Sequence, residues 1–165
     1  MKSAVPILAI AAAGAMLAAA VQAAGPVRVG NVYYEDLFTN NTCGGAGVED
    51  CRFYSSTPTP TDAYVRIKHV ACQYSVTTGG TLYRAKLQVW NGVPGATGAS
   101  VLKEFAVGVP TQPVPVSTSN LYTIDTETHF LVGAGRYIAL QAQGNGGTIA
   151  SSLTCGITGD LVPPQ

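Results

Sequence analysis

Beyond the first two dozen residues, apolar and polar side chains alternate at every second position instead of recurring at the helical spacing of 3.6. The apolar runs are short, rich in Val, Ile, Tyr and Phe, and interrupted by Gly, Pro and Asn. This alternation is typical of strands with one buried face. We therefore predict an all-β chain. The expected strands are Val27–Tyr34, Ala63–Thr77, Leu82–Trp90, Val101–Val107, Leu121–Ile124, Thr128–Val132, Arg136–Gln143 and Thr148–Thr158.

The connections between these strands differ in length. TTGG after the second strand and GNGG after the seventh are typical of tight hairpins, whereas NGVPGATGAS and PTQPVPVSTSN are long. Long crossings between antiparallel strands favour Greek-key sheets over a meander. The pattern predicts an antiparallel β-sandwich of the jelly-roll kind. An immunoglobulin-like sandwich is the alternative, but Trp90 stands at a strand end.

The second predicted strand changes its parity. Inward apolar residues occupy odd positions up to Ile67 and even positions from Val70 onward. A β-bulge at Lys68–His69 would keep both halves facing one core, and a break between two separate strands is the alternative. His69 is then a structural neighbour of the irregularity rather than a catalytic residue.

The first 23 residues have a different composition. They contain 18 hydrophobic residues and one charge, Lys2. A short positive start followed by an alanine-rich apolar run indicates a secretory signal peptide, with cleavage after Ala23. A retained transmembrane helix is the alternative, but Pro6 and Gly14 interrupt the run and no positive stop follows it. We expect a mature chain in the periplasm or outside the cell, without membrane insertion.

The rest of the chain has the size of one domain and little charge. The whole sequence carries nine basic and nine acidic residues, so removing Lys2 leaves a net charge of about −1 after residue 23. Phosphate binding needs a concentrated basic surface, so nucleic acid is not an expected partner. Residues 24–62 would form an N-terminal strand and a disulfide-closed loop, and residues 63–165 the main part of the same domain.

All four cysteines follow the predicted cleavage point, which is typical of a protein oxidised outside the cytoplasm. Of three pairings we favour Cys43–Cys51, which encloses GGAGVED, and Cys72–Cys155, whose thiols both lie on the inward side of their strands. A zinc site is the alternative, but the sequence has no C-x-x-C spacing and only two histidines.

The segment DTETH is the densest group of potential metal ligands. On an extended strand Asp125, Glu127 and His129 would share one face and could bind calcium or zinc. The alternative is a hairpin turn between LYTI and HFLV with solvated acids.

The strand LYRAKLQVW separates its residues into two sets. The inward set is Tyr83, Ala85, Leu87 and Val89. The outward set, our candidate ligand surface, is Arg84, Lys86, Gln88 and Trp90. Tryptophan packs on sugar faces or anchors protein interfaces, and the alternative is a solvated face with Trp90 under the following loop. The tyrosines that could add stacking surfaces are Tyr33, Tyr34, Tyr54 and Tyr122.

No motif indicates catalysis or a cofactor. Neighbouring acids such as Glu35–Asp36 face opposite sides of a strand, and Glu49–Asp50 lies inside the small disulfide loop. The sequence has no G-x-S-x-G elbow, and its glycine-rich segments open no helix. We expect no catalytic residue and no cofactor, with a hydrolase lacking a recognisable motif as the alternative.

The chain from YVRIKHVACQYSV through GRYIALQAQ to SSLTCGITGDLV resembles small bacterial exported β-sandwich proteins of uncharacterised function. The resemblance implies a sandwich fold and an envelope or secreted location, and it assigns no site residue. We therefore expect a non-catalytic exported protein that presents a surface to a protein or glycan. A carbohydrate-binding module and a self-assembling structural subunit of the cell envelope are the two alternatives.

Overall fold

The computed structural model describes residues 25–43, 50–108, 112–150 and 154–164. The predicted signal peptide lies outside these residues. The described part contains no helix long and apolar enough to cross a membrane. Its twelve strands are β1 (Val27–Val29), β2 (Tyr33–Phe38), β3 (Asn40–Asn41), β4 (Asp50–Tyr54), β5 (Tyr64–Thr77), β6 (Thr81–Trp90), β7 (Val101–Ala106), β8 (Val114–Val116), β9 (Ser119–Val132), β10 (Tyr137–Asn145), β11 (Ile149–Ala150) and β12 (Cys155–Val162).

The strands form two antiparallel sheets. The seven-stranded sheet has the order β1-β2-β12-β5-β9-β8, with β11 pairing β5, and the five-stranded sheet has the order β3-β4-β10-β6-β7. Among the eight longer strands, β2-β12-β5-β9 face β4-β10-β6-β7, so the chain repeatedly crosses from one sheet to the other. These interleaved Greek keys are those of a jelly roll. The predicted all-β, jelly-roll-like sandwich is confirmed, and the immunoglobulin-like alternative is wrong.

The core lies between the two sheets. The largest fully buried side chains come from the inner faces of both, and they are Tyr34, Phe53, Ile67, Tyr74, Leu87, Ile138, Leu140, Ile149 and Ile157. Phe53 of β4 contacts Tyr74 of β5 edge to face, with ring centroids 5.6 Å apart. Because the inner faces are filled by this packing, each sheet has one outer face available for other contacts.

The parity change in the second predicted strand is a β-bulge. Strand β5 runs without a break, and its register against β9 shifts between Ile67 and His69. The register of β12 against β5 shifts at Gly159, where an added Cβ would lie 2.1 Å from the carbonyl oxygen of Arg66. Against β12 the extra residue is therefore Lys68, and a glycine is required where β12 passes it. Against β9, Lys68 alone lies opposite two residues, Thr128 and His129.

Two predicted hairpins are wrong. The TTGG segment connects β5 to β6, and GNGG leads from β10 to β11, so both connections cross between sheets. The two crossings meet closely: a Cβ added at Gly80 would lie 2.6 Å from the Cα of Gly147. A short glycine turn can connect two strands of one sheet or two strands of different sheets. Only the contact between the two glycine turns distinguishes these cases.

Two further strand predictions need correction. Residues 121–132 were expected as two strands with a turn between them, but they belong to one strand, β9, which pairs with β5 along its length. Strand β4 was not predicted, because DCRFY was included in the disulfide loop region. Its alternation of buried Cys51 and Phe53 with half-buried Asp50, Arg52 and Tyr54 is that of a strand with one inner face.

Both disulfides favoured from the sequence are present. Cys43 pairs with Cys51 and Cys72 with Cys155, at Cα–Cα distances of 4.5 and 4.1 Å. Cys72 and Cys155 are directly opposite each other on β5 and β12, and both are buried. Each disulfide joins neighbouring parts of one sheet, and two such bonds fit an oxidising compartment.

Candidate ligand-binding face

The outer face of the five-stranded sheet carries a continuous group of polar side chains and one tryptophan. They come from β4, β10, β6 and β7, on the side opposite to the core. We call this group the polar layer, and its members are Asp50, Arg52, Lys86, Gln88, Trp90, Glu104 and Gln141.

Gln88 is the centre of the polar layer. Its Nε2 donates to Glu104 Oε1 and to Gln141 Oε1, both at 2.7 Å. Its Oε1 accepts a hydrogen bond from Trp90 Nε1 at 3.2 Å. Gln88 is only 2% exposed although it faces away from the core, because its neighbours cover it. Both N–H donors of this amide and its oxygen are therefore used inside the protein.

The network extends from Gln88 toward both sides of the sheet. On one side Gln141 Nε2 lies 2.8 Å from each carboxylate oxygen of Asp50, which also accepts from Arg52 Nη2 at 2.8 Å. On the other side Lys86 Nζ donates to Glu104 Oε2 at 2.6 Å. The hydrogen bonds from Lys86 and then Gln88 lower the pKa of Glu104. Four adjacent strands are thus linked by side chains above the backbone ladder.

Aromatic side chains adjoin the polar layer. The guanidinium carbon of Arg52 lies 6.0 Å from the centroid of the Trp90 ring, at the limit of a cation–π contact. Tyr137 is the cross-strand partner of Trp90, and Tyr54 is the partner of Ala139. All three aromatic residues are half-buried, whereas the small Ala139 between them is fully buried. The face therefore combines an aromatic surface with fixed polar groups.

The structure brings together three of the four residues predicted as a ligand surface. Lys86, Gln88 and Trp90 belong to the network, and Arg84 is exposed on the same face without a hydrogen bond or ion pair to any residue in the described part of the chain. The alternative of a solvated face is wrong for Gln88, because Trp90 and the neighbouring strands cover it.

Three tyrosine assignments are also wrong. Tyr34 and Tyr122, expected as exposed platforms, are 0% and 4% exposed because they belong to the core. Tyr83, expected inward, is 55% exposed, and Leu82 is buried in its place. The cause is a register shift against β10, which puts Leu82 opposite Gly144. Tyr33 and Tyr54 do reach the surface.

Sequence reasoning missed five residues of this face, which are Asp50, Arg52, Glu104, Tyr137 and Gln141. The alternation in DCRFY and in YIALQAQ could have placed most of them on outward positions. It could not have paired them, because pairing depends on which strands are neighbours.

The outer face of the seven-stranded sheet is built differently. Gly156 and Ala71 leave a groove of about 240 Å³, with Glu35, His69 and Thr158 among the lining residues. His69 and Asp125 form an exposed pair, with Nε2 and Oδ1 2.6 Å apart. This face therefore offers a shallow depression with the exposed contact between His69 and Asp125 at its edge.

The residues of DTETH lie on this face. Asp125, Glu127 and His129 are exposed at alternating positions of β9, so the expected shared face is correct and the expected turn is wrong. Within the described ranges no three His, Cys, Asp or Glu side chains are arranged to hold a metal ion. The structure therefore gives no metal site at these three residues or at the cysteines.

The paired acids Glu35–Asp36 do not share a site. Glu35 is exposed, whereas Asp36 is 1% exposed and faces the core. Asp36 Oδ2 accepts from the Tyr34 hydroxyl at 3.3 Å, while Oδ1 has no hydrogen-bond partner in the described residues. Burial raises the pKa of Asp36 to about 6, and the Tyr34 hydrogen bond partly opposes this. Glu49 lies outside the described residues.

Comparison of the chain with protein-family models, with curated proteins and with solved structures found no match.

Proposed function

We propose that this protein is an exported, non-catalytic β-sandwich that binds a glycan through the outer face of its five-stranded sheet. The observation that carries the proposal is the position of Trp90. Its indole is held by Gln88 and lies close to Arg52, and the half-buried rings of Tyr54 and Tyr137 are its neighbours on the sheet.

Sugar rings have apolar faces that pack on aromatic rings and hydroxyl groups that bond to planar polar groups. The outer face of the five-stranded sheet offers both kinds of group within one surface. The buried amides of Gln88 and Gln141 fix the surrounding side chains before any ligand arrives. A surface that is ordered in advance loses less side-chain entropy on binding.

Export is part of the proposal. It is supported by the predicted signal peptide and by two disulfides, which persist in the periplasm or outside the cell. A non-catalytic role is supported by the hydrogen bonds of the two acids on this face. The carboxylates of Asp50 and Glu104 both accept hydrogen bonds from side chains of the protein. Neither is left free as an acid–base group.

The test is a glycan array followed by calorimetric titration of the chain from residue 24. Trp90→Ala should weaken binding of the best glycan at least about tenfold, and Trp90→Phe should keep most of it. Tyr33→Ala is the matched control, because Tyr33 is 36% exposed on the other sheet and should leave affinity unchanged. Absence of any bound glycan, or equal losses in Trp90→Ala and Tyr33→Ala, would refute the proposal.

Self-assembly is the second candidate, and the sheet edges favour it. Val27 and Val29 on β1 are 45% and 58% exposed, and Val114 and Val116 on β8 are 60% and 52% exposed. These strands are the two edges of the seven-stranded sheet, and exposed apolar edges can pair between molecules. Sedimentation should then show concentration-dependent association that Val29→Lys with Val116→Lys abolishes. A monomer at all concentrations would exclude it.

A further inference from the structure

The acceptors and donors of the polar layer are used unequally. All six side-chain oxygen atoms of its two acids and two amides accept a hydrogen bond within the protein. The acceptors are the Oδ1 and Oδ2 atoms of Asp50, the Oε1 and Oε2 atoms of Glu104, and the Oε1 atoms of Gln88 and Gln141.

The donors on this face, including those of Arg84 beside the polar layer, are used less fully. Arg84 is exposed and has no acceptor among the described residues, and Lys86 uses one of its three N–H groups. Among the described residues only Nη2 of the Arg52 guanidinium has an acceptor, and its Nε is buried without one and is not open to a ligand. The cations on this face therefore keep N–H donors for a ligand, most of all Arg84.

The charged residues on this face also favour an anionic ligand. The described residues on the outer face of the five-stranded sheet include three cations, Arg52, Arg84 and Lys86, against two acids, Asp50 and Glu104, although the chain after residue 23 is slightly acidic overall. Arg84 and Lys86 both help to lower the pKa of Glu104, in keeping with their position at the same end of the layer. The excess positive charge lies on β6, the strand that also carries Trp90.

We infer that the glycan bound by this face is acidic, with carboxylate groups of uronic acid residues accepting hydrogen bonds from Arg84 and Lys86 while a sugar ring packs on Trp90. This inference rests on the proposed function. Carboxylates suit these groups because guanidinium and ammonium donors form their strongest hydrogen bonds with anionic oxygens.

The spacing along β6 further restricts the ligand. Arg84 and Trp90 are six residues apart on one strand, a distance of roughly 20 Å at about 3.3 Å per residue. One monosaccharide cannot reach both groups. A ligand that contacts both is therefore an oligomer, with a carboxylate near Arg84 and Lys86 and a sugar ring on Trp90.

The experiment compares acidic oligosaccharides with neutral forms of the same backbone. Oligogalacturonate and oligomannuronate are titrated into the chain from residue 24, each beside its methyl ester, which keeps the rings and removes the charge. We expect at least one acid to bind about tenfold or more tighter than its ester, and added salt to reduce that difference. Arg84→Gln should weaken binding of the acid about tenfold and leave binding of the ester unchanged.

Arg66→Gln is the control, because Arg66 is an exposed arginine of β5 and should not alter either affinity. Equal binding of acid and ester, binding of neutral glycans alone, or equal losses in Arg84→Gln and Arg66→Gln would overturn the acidic ligand and leave glycan binding in place. Equally tight binding of anionic vesicles or duplex DNA would also overturn the acidic glycan, because binding would then depend on negative charge alone. Failure of every glycan on the array would instead refute the proposed function itself.

Discussion

The two outer faces of this sandwich come from the same two-residue alternation, yet they differ in how their side chains are held. On the five-stranded sheet, amides and acids bond to one another across four strands, so Gln88 and Gln141 are buried although they point outward. On the seven-stranded sheet, Gly156 and Ala71 leave a groove, and His69 contacts Asp125 as an exposed pair. Alternation determines which side a residue faces, whereas neighbours on other strands determine whether water reaches it.

The largest expected effect is at the bulge of the seven-stranded sheet. Gly159→Ala would put a Cβ 2.1 Å from the backbone oxygen of Arg66, which only a backbone shift can relieve. We expect a loss of about 3 kcal/mol in the free energy of unfolding, measured by denaturant titration. Gly156→Ala is the matched control three residues earlier: its nearest backbone contact is 3.3 Å, so it should cost much less. Similar losses in both variants would contradict the assignment of the bulge.

The network on the other face gives the second effect. Gln88→Leu removes the partner of Trp90, Glu104 and Gln141 at once, and we expect a loss of about 2 kcal/mol in unfolding free energy because buried polar groups are left unpaired. Gln73→Leu changes an exposed glutamine of β5 in the same way and should cost nearly nothing. Equal thermal shifts in the two variants would mean that the polar layer does not stabilise the protein.

The third prediction concerns Asp36, which lies under the seven-stranded sheet. Its pKa is about 6 in the folded protein and near 3.8 in the unfolded chain, so folding is favoured by the protonated form. This contribution to the free energy of unfolding is complete below pH 3.8 and is lost as the pH rises through about 6. Asp36→Asn should flatten this loss and stabilise the protein at pH 7 by on the order of 1–2 kcal/mol. Melting temperatures of both proteins between pH 4 and 7 test it, and parallel profiles would contradict it.

The smallest effect is expected at the exposed contact between His69 and Asp125. The side chains of His69 and Asp125 are 38% and 68% exposed, so water screens their attraction. Asp125→Asn should change the unfolding free energy by less than about 0.5 kcal/mol in a denaturant titration. A loss as large as that of Gln88→Leu would show that the two faces are held equally firmly.

These faces also show what the sequence could predict. The shift of apolar residues from odd to even positions located the bulge at Lys68–His69, because burial of one strand face has a fixed period. The pairing of four cysteines followed from loop length and the inward side of each strand. The parity change and the inward side of each cysteine are local signals, because each is visible in a few consecutive residues.

The rest depends on contacts between distant segments. The outward row of β6 was predicted, but its neighbours come from distant segments. Arg52 precedes Lys86 by 34 residues, and Gln141 follows Gln88 by 53 residues. Only strand order makes these residues neighbours. The inward position predicted for Tyr83 was wrong for a similar reason, because the register shift that exposes it arises in the pairing of β6 with β10.

The Cys72–Cys155 bond determines how this fold would respond to force. It connects residues separated by 83 positions, and strands β6 to β11 lie within the closed loop. In the oxidised chain a pull on the two ends passes directly from β5 to β12, so roughly 280 Å of contour length is withheld from extension. Trp90, Arg84 and Lys86 all lie in the withheld segment, and tension on an anchored molecule would therefore bypass the strand that carries them.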